Sequence, residues 1–156
     1  HGVAIGLLTL TAANSLHAQA PQAPPAPRIT LEEARAAMDA AEAEARNNGW
    51  NLAFVITDAE ATPIYVRRMD GVPTRNYEVA MNKVQTAITS GMHTAEYAAA
   101  VEAQRIQPIE GALTFDGGLL LRRGGQVVGA FSASGARGVE DAQAVRAGMA
   151  TIGIEP

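Results

Sequence analysis

The groups in this sequence that could do chemistry are a few aspartates, one histidine and a glycine-rich stretch. Asp58, Asp70, Asp116 and Asp141 all stand at predicted turns or helix starts, where capping is a carboxylate's ordinary work. His93, in Gly91–Thr94 (GMHT), is the one histidine beyond residue 20, so there is no second imidazole for a metal pair. No Ser-His-Asp order stands out, and Ser134 has no obvious base. The absence of cysteine excludes disulfides, zinc–thiolate sites and thiol nucleophiles. Residues 115–138 (FDGGLLLRRGGQVVGAFSASGARG) hold seven glycines and three arginines, a composition shared by phosphate cradles and β-hairpins. A dinucleotide fingerprint needs G-x-G-x-x-G between a parallel strand and a helix. Here the first glycine pairs separate apolar runs, and no Walker lysine follows. Only Gly135–Gly138 precedes a helix, where free amides can hold an anion. The stretch reads mainly as a hairpin.

Two cationic positions add to this set. Arg67 and Arg68 are adjacent on a predicted strand and so point to opposite faces. Lys83 and Thr86, three apart, share one side of a predicted helix, away from its apolar stripe.

The elements that must position these groups begin at Thr30. Thr30-Leu31-Glu32-Glu33 is a capping box, and Leu31, Ala34, Met38, Ala41 and Ala45 repeat at helical spacing. Gly49 suits the left-handed position that ends this helix. Trp50–Thr57 and Ile64–Met69, joined through Asp58–Pro63, read as an antiparallel hairpin. Thr74 is a candidate cap for a helix to about Ser90, with Tyr77, Ala80, Met81, Val84 and Ile88 as its apolar face. A shorter helix, Ala95–Gln104, follows Thr94. Strands are predicted at Leu113–Phe115, Leu119–Arg122 and Gln126–Ser132, the last two around a Gly124-Gly125 turn of the type a twisted hairpin needs. A helix over Val139–Ile152 closes the chain. The order α-β-β-α-α-β-β-β-α predicts an α+β domain with helices on a roughly five-stranded, mainly antiparallel sheet.

With 156 residues, a net charge of −4 and 47% hydrophobic content, the chain suits one soluble domain. Its mild acidity argues against a nucleic-acid partner. Val3–Leu16 is apolar and uncharged, and Ala18-Gln19-Ala20 resembles a signal-peptidase site. Residues 1–20 therefore read as an export signal with a trimmed start, too short to span a bilayer. That places the expected product in the periplasm or outside the cell, with no membrane attachment after cleavage. Residues 21–28 read as a proline-rich linker, and 29–156 as the domain.

Seven segments, in order, resemble the GlcG/HbpS-like haem-degrading family, which includes the C-terminal domain of PduO. They are Ile29–Ala34 (ITLEEA), Ile56–Asp58 (ITD), Arg68–Gly71 (RMDG), Lys83–Ala87 (KVQTA), Asp116–Gly118 (DGG), Gln126–Gly135 (QVVGAFSASG) and Asp141–Gly148 (DAQAVRAG). The resemblance implies a PAS/profilin-like sandwich of two to three layers, assembled as a homo-oligomer of two or more subunits. It implies haem as the cofactor, or another small planar or anionic ligand. Three turns depart from the family pattern: Ala61 replaces an expected glycine, Ser132–Gly135 (SASG) replaces GVSG, and Gly117–Leu120 (GGLL) lacks the proline of GGxP.

A haem site needs an axial ligand, an apolar slot and cations for the propionates. As the one imidazole beyond residue 20, His93 is the first candidate iron ligand; the resemblance adds Thr94 and Thr86 as oxygen alternatives at family positions. Arg68 and Lys83 are the candidate propionate partners, Arg68 also being placed to pair with Asp70. Met69 could fill a soft apolar slot, and Gly117 and Gly118 complete the expected lining. The resulting expectation is haem binding, and haem degradation with it, in a pocket between the sheet and the Asn76–Ser90 helix. Two other readings stand beside it. One is a cofactor-independent small-molecule enzyme using Arg68, Asp70 and Lys83; the other is a ligand-free oligomeric scaffold. No catalytic residue is assigned.

Overall fold

A computed structural model describes Gly2 and residues 26–155. The export-signal reading of residues 1–20 and most of the linker lie outside the described residues. The elements are α1 (Leu31–Asn47), β1 (Ala53–Thr57), β2 (Pro63–Arg68), α2 (Thr74–Ser90), α3 (Thr94–Glu102), β3 (Gly118–Arg123), β4 (Gln126–Ser134) and α4 (Gly138–Thr151). The strands form an antiparallel sheet in the order β2-β1-β4-β3. The α+β class is as expected, with four strands among the described residues rather than five.

The missing strand is Leu113–Phe115. Its backbone is claimed elsewhere: the Leu113 amide donates to Thr86 Oγ1 at 3.0 Å, and Phe115 is exposed. Left-handed glycines at Gly111 and Gly117 bracket the segment and turn it away from extended pairing. It forms a loop over α2 instead.

Side chains alternate along the strands and divide the molecule into three layers. Phe54, Ile56, Leu119, Leu121, Phe131 and Ala133 pack with α1 and α4 on one face. Val55, Leu120 and Ala130 meet Ala80, Val84 and Ala87 of α2 on the other. Alanine and glycine let the helices sit close. A Cβ on Gly148 of α4 would lie 2.4 Å from the Ala37 carbonyl oxygen of α1.

The local signals mostly fold as the sequence reads. Thr30 and Glu33 form the capping box, and Gly49 and Gly91 take the left-handed conformation behind α1 and α2. Gly124 and Gly125, both at positive φ, make the β3–β4 turn. Arg67 and Arg68 do point apart: Arg67 meets Asp39 and Glu42 of α1, while Arg68 turns to the other face. Three details differ. Leu31 is exposed, and Ala37 takes its place in the buried stripe. Thr74 is the first helical residue of α2 rather than its cap, its hydroxyl accepting from Arg68 Nη1 at 3.3 Å. Ala61 sits at φ +62°, the left-handed position for which glycine is suited. The turn there is held by Asp58 Oδ1, which accepts from the amides of Glu60 and Thr62.

Candidate functional site

Lys83 is the largest departure from expectation. A position that the helix pattern sets away from the apolar stripe is 2% exposed in the fold. Its ammonium donates to the Ala133 carbonyl oxygen at 2.9 Å and to Asp141 Oδ2 at 2.8 Å. Asp141 belongs to α4, on the opposite face of the sheet, so the lysine reaches past the sheet end. It can do so because Gly117 has no side chain. A Cβ there would lie 2.7 Å from both Lys83 Nζ and Asp141 Cβ. Gly118 is equally constrained, its absent Cβ 2.7 Å from Thr94 Cγ2. The Asp116-Gly117-Gly118 segment, predicted as turn chemistry, is a close-approach segment.

Asp141 is fully paired, its Oδ1 accepting from the Ala136 amide at 3.0 Å. Burial pushes this carboxyl up, and the Lys83 ammonium opposes that shift. Beside the pair lies a cavity of about 370 Å³ lined by Lys83, Asp116, Ser134, Gly138 and Asp141, with Phe115 among its apolar walls.

His93 precedes α3. Its Nδ1 accepts from the Leu120 amide at 3.0 Å, and its own amide donates to Glu96 Oε2. Burial, with Arg122 and Arg146 nearby, pulls the imidazole below its ordinary pKa. With Nδ1 accepting, the proton of the neutral ring sits on Nε2. A metal-bound histidine shows the reverse arrangement, donating through the nitrogen not on the metal. Thr94 is wholly buried, its hydroxyl accepting from Gly118 at 3.0 Å. Thr86 is buried as well, with Oγ1 between Asn82 and the Leu113 amide. It lines a separate cavity of about 450 Å³ with Gln85, Ile109 and Glu110. Met69 sulfur accepts from the Leu52 amide at 3.3 Å and packs in the core. As arranged, His93, Thr94, Thr86 and Met69 each engage a partner within the fold.

Arg68 occupies a third place. Its Nη1 donates to the Val72 carbonyl at 2.9 Å and to Thr74, which fixes the guanidinium beside a shallow hollow of about 290 Å³. Val66, Thr74 and Tyr77 complete the lining. The expected Arg68–Asp70 pairing does not form. Asp70 is exposed, and its carbonyl accepts from Asn51.

The structure therefore separates the predicted site residues. Lys83, Gly117 and Gly118 gather with Asp141; His93 and Thr94 brace β3; Thr86 and Arg68 border different cavities. The Arg68–Asp70–Lys83 constellation of the enzyme reading is not brought together. Tyr77, which borders the hollow beside Arg68, counts in the sequence only among the apolar positions of α2. Sequence reasoning missed the Asp141 partnership, which no local spacing encodes. No described helix is long and apolar enough to cross a membrane.

The model of the family described as "Haem degrading protein HbpS-like" matches residues 29–150. The crystal structure of HbpS superposes with a TM-score of 0.74 at 29% identity, over 86% of this chain and 97% of that one. A PduOC:haem complex superposes at 0.72 with 23% identity, over 81% and 96% of the two chains. The Klebsiella pneumoniae protein ORFY gives 0.72 at 23% identity, over 80% and 90%. No curated protein matches.

Proposed function

The chain belongs to the HbpS-like haem-degrading family, and from that premise we propose that it binds haem at the hollow beside Arg68. The observation that carries the placement is the state of the cations. Lys83 is neutralised by Asp141 and Arg67 by Asp39 and Glu42. Arg68 forms no ion pair among the described residues, and only its Nη1 hydrogen bonds in the fold. A guanidinium held on Val72 and Thr74, with donors to spare, suits a propionate carboxylate. Val66, 42% exposed, and the half-buried Tyr77 ring supply apolar surface for a planar ring.

Arg68 would fix the charged edge of the ligand, while Val66 and Tyr77 exclude water from one of its faces. Tyr77 supplies a phenolic oxygen that makes no hydrogen bond among the described residues and suits an iron ligand. Bound haem supplies an iron centre for oxygen chemistry; ring degradation, the chemistry in the family's description, would take its electrons from an external donor. A shallow hollow covers one face of a planar ligand, and a second copy of the chain would cover the other. Export, read from residues 1–20, would place this binding outside the cytoplasm.

Haemin titration followed by visible spectroscopy tests the reading. The expected result is a saturable Soret shift. Arg68→Ala should weaken binding by about tenfold, equivalent to about 1.4 kcal/mol. Tyr77→Phe should move the band position, and His93→Ala should leave it in place. A weak, non-saturating change in the wild type would sink haem binding. A band that moves with His93 and not with Tyr77 would relocate the site.

A further inference from the structure

The cavity beside Lys83 shares no lining residue with the Arg68 hollow, and its polar groups are only partly used by the fold. Ser134, at the end of β4, is 7% exposed and lines this cavity, yet its hydroxyl has no partner among the described residues. Ser132, two residues earlier on the same face, shows the contrast by donating to the Ala80 carbonyl at 2.7 Å. Unlike Thr57 Oγ1, which is sealed away without a partner among the described residues, the Ser134 hydroxyl opens onto the cavity and is free to bond what enters it.

Lys83 adds a second unused donor. Its ammonium has three hydrogens, and the fold takes two of them, for Ala133 and Asp141. Gly138, the first residue of the 14-residue helix α4, also borders the cavity. The first amides of a helix have no acceptor within it. Asp116 supplies the acceptor side. Its Oδ1 takes the Gly117 amide at 2.6 Å, and its other oxygen makes no hydrogen bond among the described residues.

Charge decides the ligand class. Lys83 cancels Asp141, and Asp116 leaves one negative charge over. An anion would be repelled by that carboxylate, whereas a neutral molecule carrying both an acceptor and a donor matches the two sides of the site. A volume of about 370 Å³ lies at the small end of ligand sites. We propose that this cavity binds a small neutral hydroxycarbonyl compound, its carbonyl oxygen accepting from Ser134 and Lys83 and its hydroxyl donating to Asp116.

Calorimetric titration of the whole chain with dihydroxyacetone, and with glycolate as the anionic counterpart, tests this. Saturable binding of dihydroxyacetone near 1 mM is expected, about −4 kcal/mol, with glycolate at least about tenfold weaker. Ser134→Ala removes a hydroxyl that the fold does not use, and should weaken dihydroxyacetone about tenfold while haemin binding stays as in the wild type. Asp116→Asn should keep the Gly117 contact and shift preference toward glycolate. The proposal is overturned if dihydroxyacetone does not saturate, if Ser134→Ala binds it as the wild type does, or if glycolate binds more tightly to the wild type.

Discussion

Lys83 Nζ and Asp141 Oδ2 lie 2.8 Å apart and join helices packed on opposite faces of the sheet. Both side chains are almost wholly buried. Removing one partner from such a pair leaves a buried charge uncompensated, which costs about 3–5 kcal/mol. Lys83→Met should therefore destabilise the protein by that amount in urea unfolding, and Asp141→Asn by somewhat less. The double variant Lys83→Met/Asp141→Leu should recover part of the loss, because replacing both charges together leaves no orphan. Wild-type stability for Lys83→Met would show that the pair does not hold the layers together.

Gly117 is what makes that pair possible. An alanine there would have to adopt φ +108° and place its Cβ 2.7 Å from Lys83 Nζ. Gly125 in the β3–β4 turn also has positive φ, but nothing lies within 4 Å of its missing Cβ. Gly125→Ala should thus cost only the backbone penalty, about 1–2 kcal/mol. Gly117→Ala should cost that plus overpacking, a further 1–3 kcal/mol or so. Comparing the two melting curves isolates the close approach, and equal losses would refute it.

These residues also show where sequence reasoning reached and where it stopped. Capping, helical periodicity and Gly-Gly turn chemistry are local, and they located all four described helices and the strand pairs. The Leu113–Phe115 strand failed because its amide is taken by Thr86, a residue 27 positions away. Lys83 reads as set apart from the buried stripe because its helix pattern is local while its partner stands 58 residues on. The same applies to the candidate site. Residue types and motifs singled out Arg68 and Lys83, but their separation into two cavities depends on tertiary packing. His93 was recognisable as an unusual imidazole, and only the Leu120 contact shows which nitrogen is engaged.

Ala61 offers a stabilising change. It stands at φ +62° in a turn already fixed by Asp58. A left-handed conformation costs a residue with a Cβ about 1–2 kcal/mol, offset in part by the greater freedom of glycine in the unfolded chain. Ala61→Gly should raise stability by about 0.5–1 kcal/mol, read as a higher denaturation midpoint at unchanged m-value. A lower midpoint would show that the turn does not strain the alanine.

His93 gives the protein a pH dependence whose sign follows from its contacts. Burial lowers its pKa from the ordinary 6.5, so the fold favours the neutral ring that accepts from Leu120. Below about pH 6.5 the unfolded chain takes up a proton that the folded chain resists, and stability falls as pH falls. Above that value the contribution is fully present. A second, lower window belongs to Glu33, which the Arg123 guanidinium holds at about 2 against its ordinary 4.5. Its contribution is present above pH 4.5 and is lost as pH falls toward 2. Urea unfolding at pH 7.5 and 5.5 separates the histidine from the glutamate. The wild type should lose stability between those values, and His93→Asn, whose amide oxygen can accept from Leu120 without titrating, should lose less. His93→Ala should be weaker at both, by about 1–3 kcal/mol, for leaving the Leu120 amide without an acceptor. An NMR titration of His93 with a midpoint at or above 6.5 would overturn this account, since the ring would then charge in the fold as readily as in water.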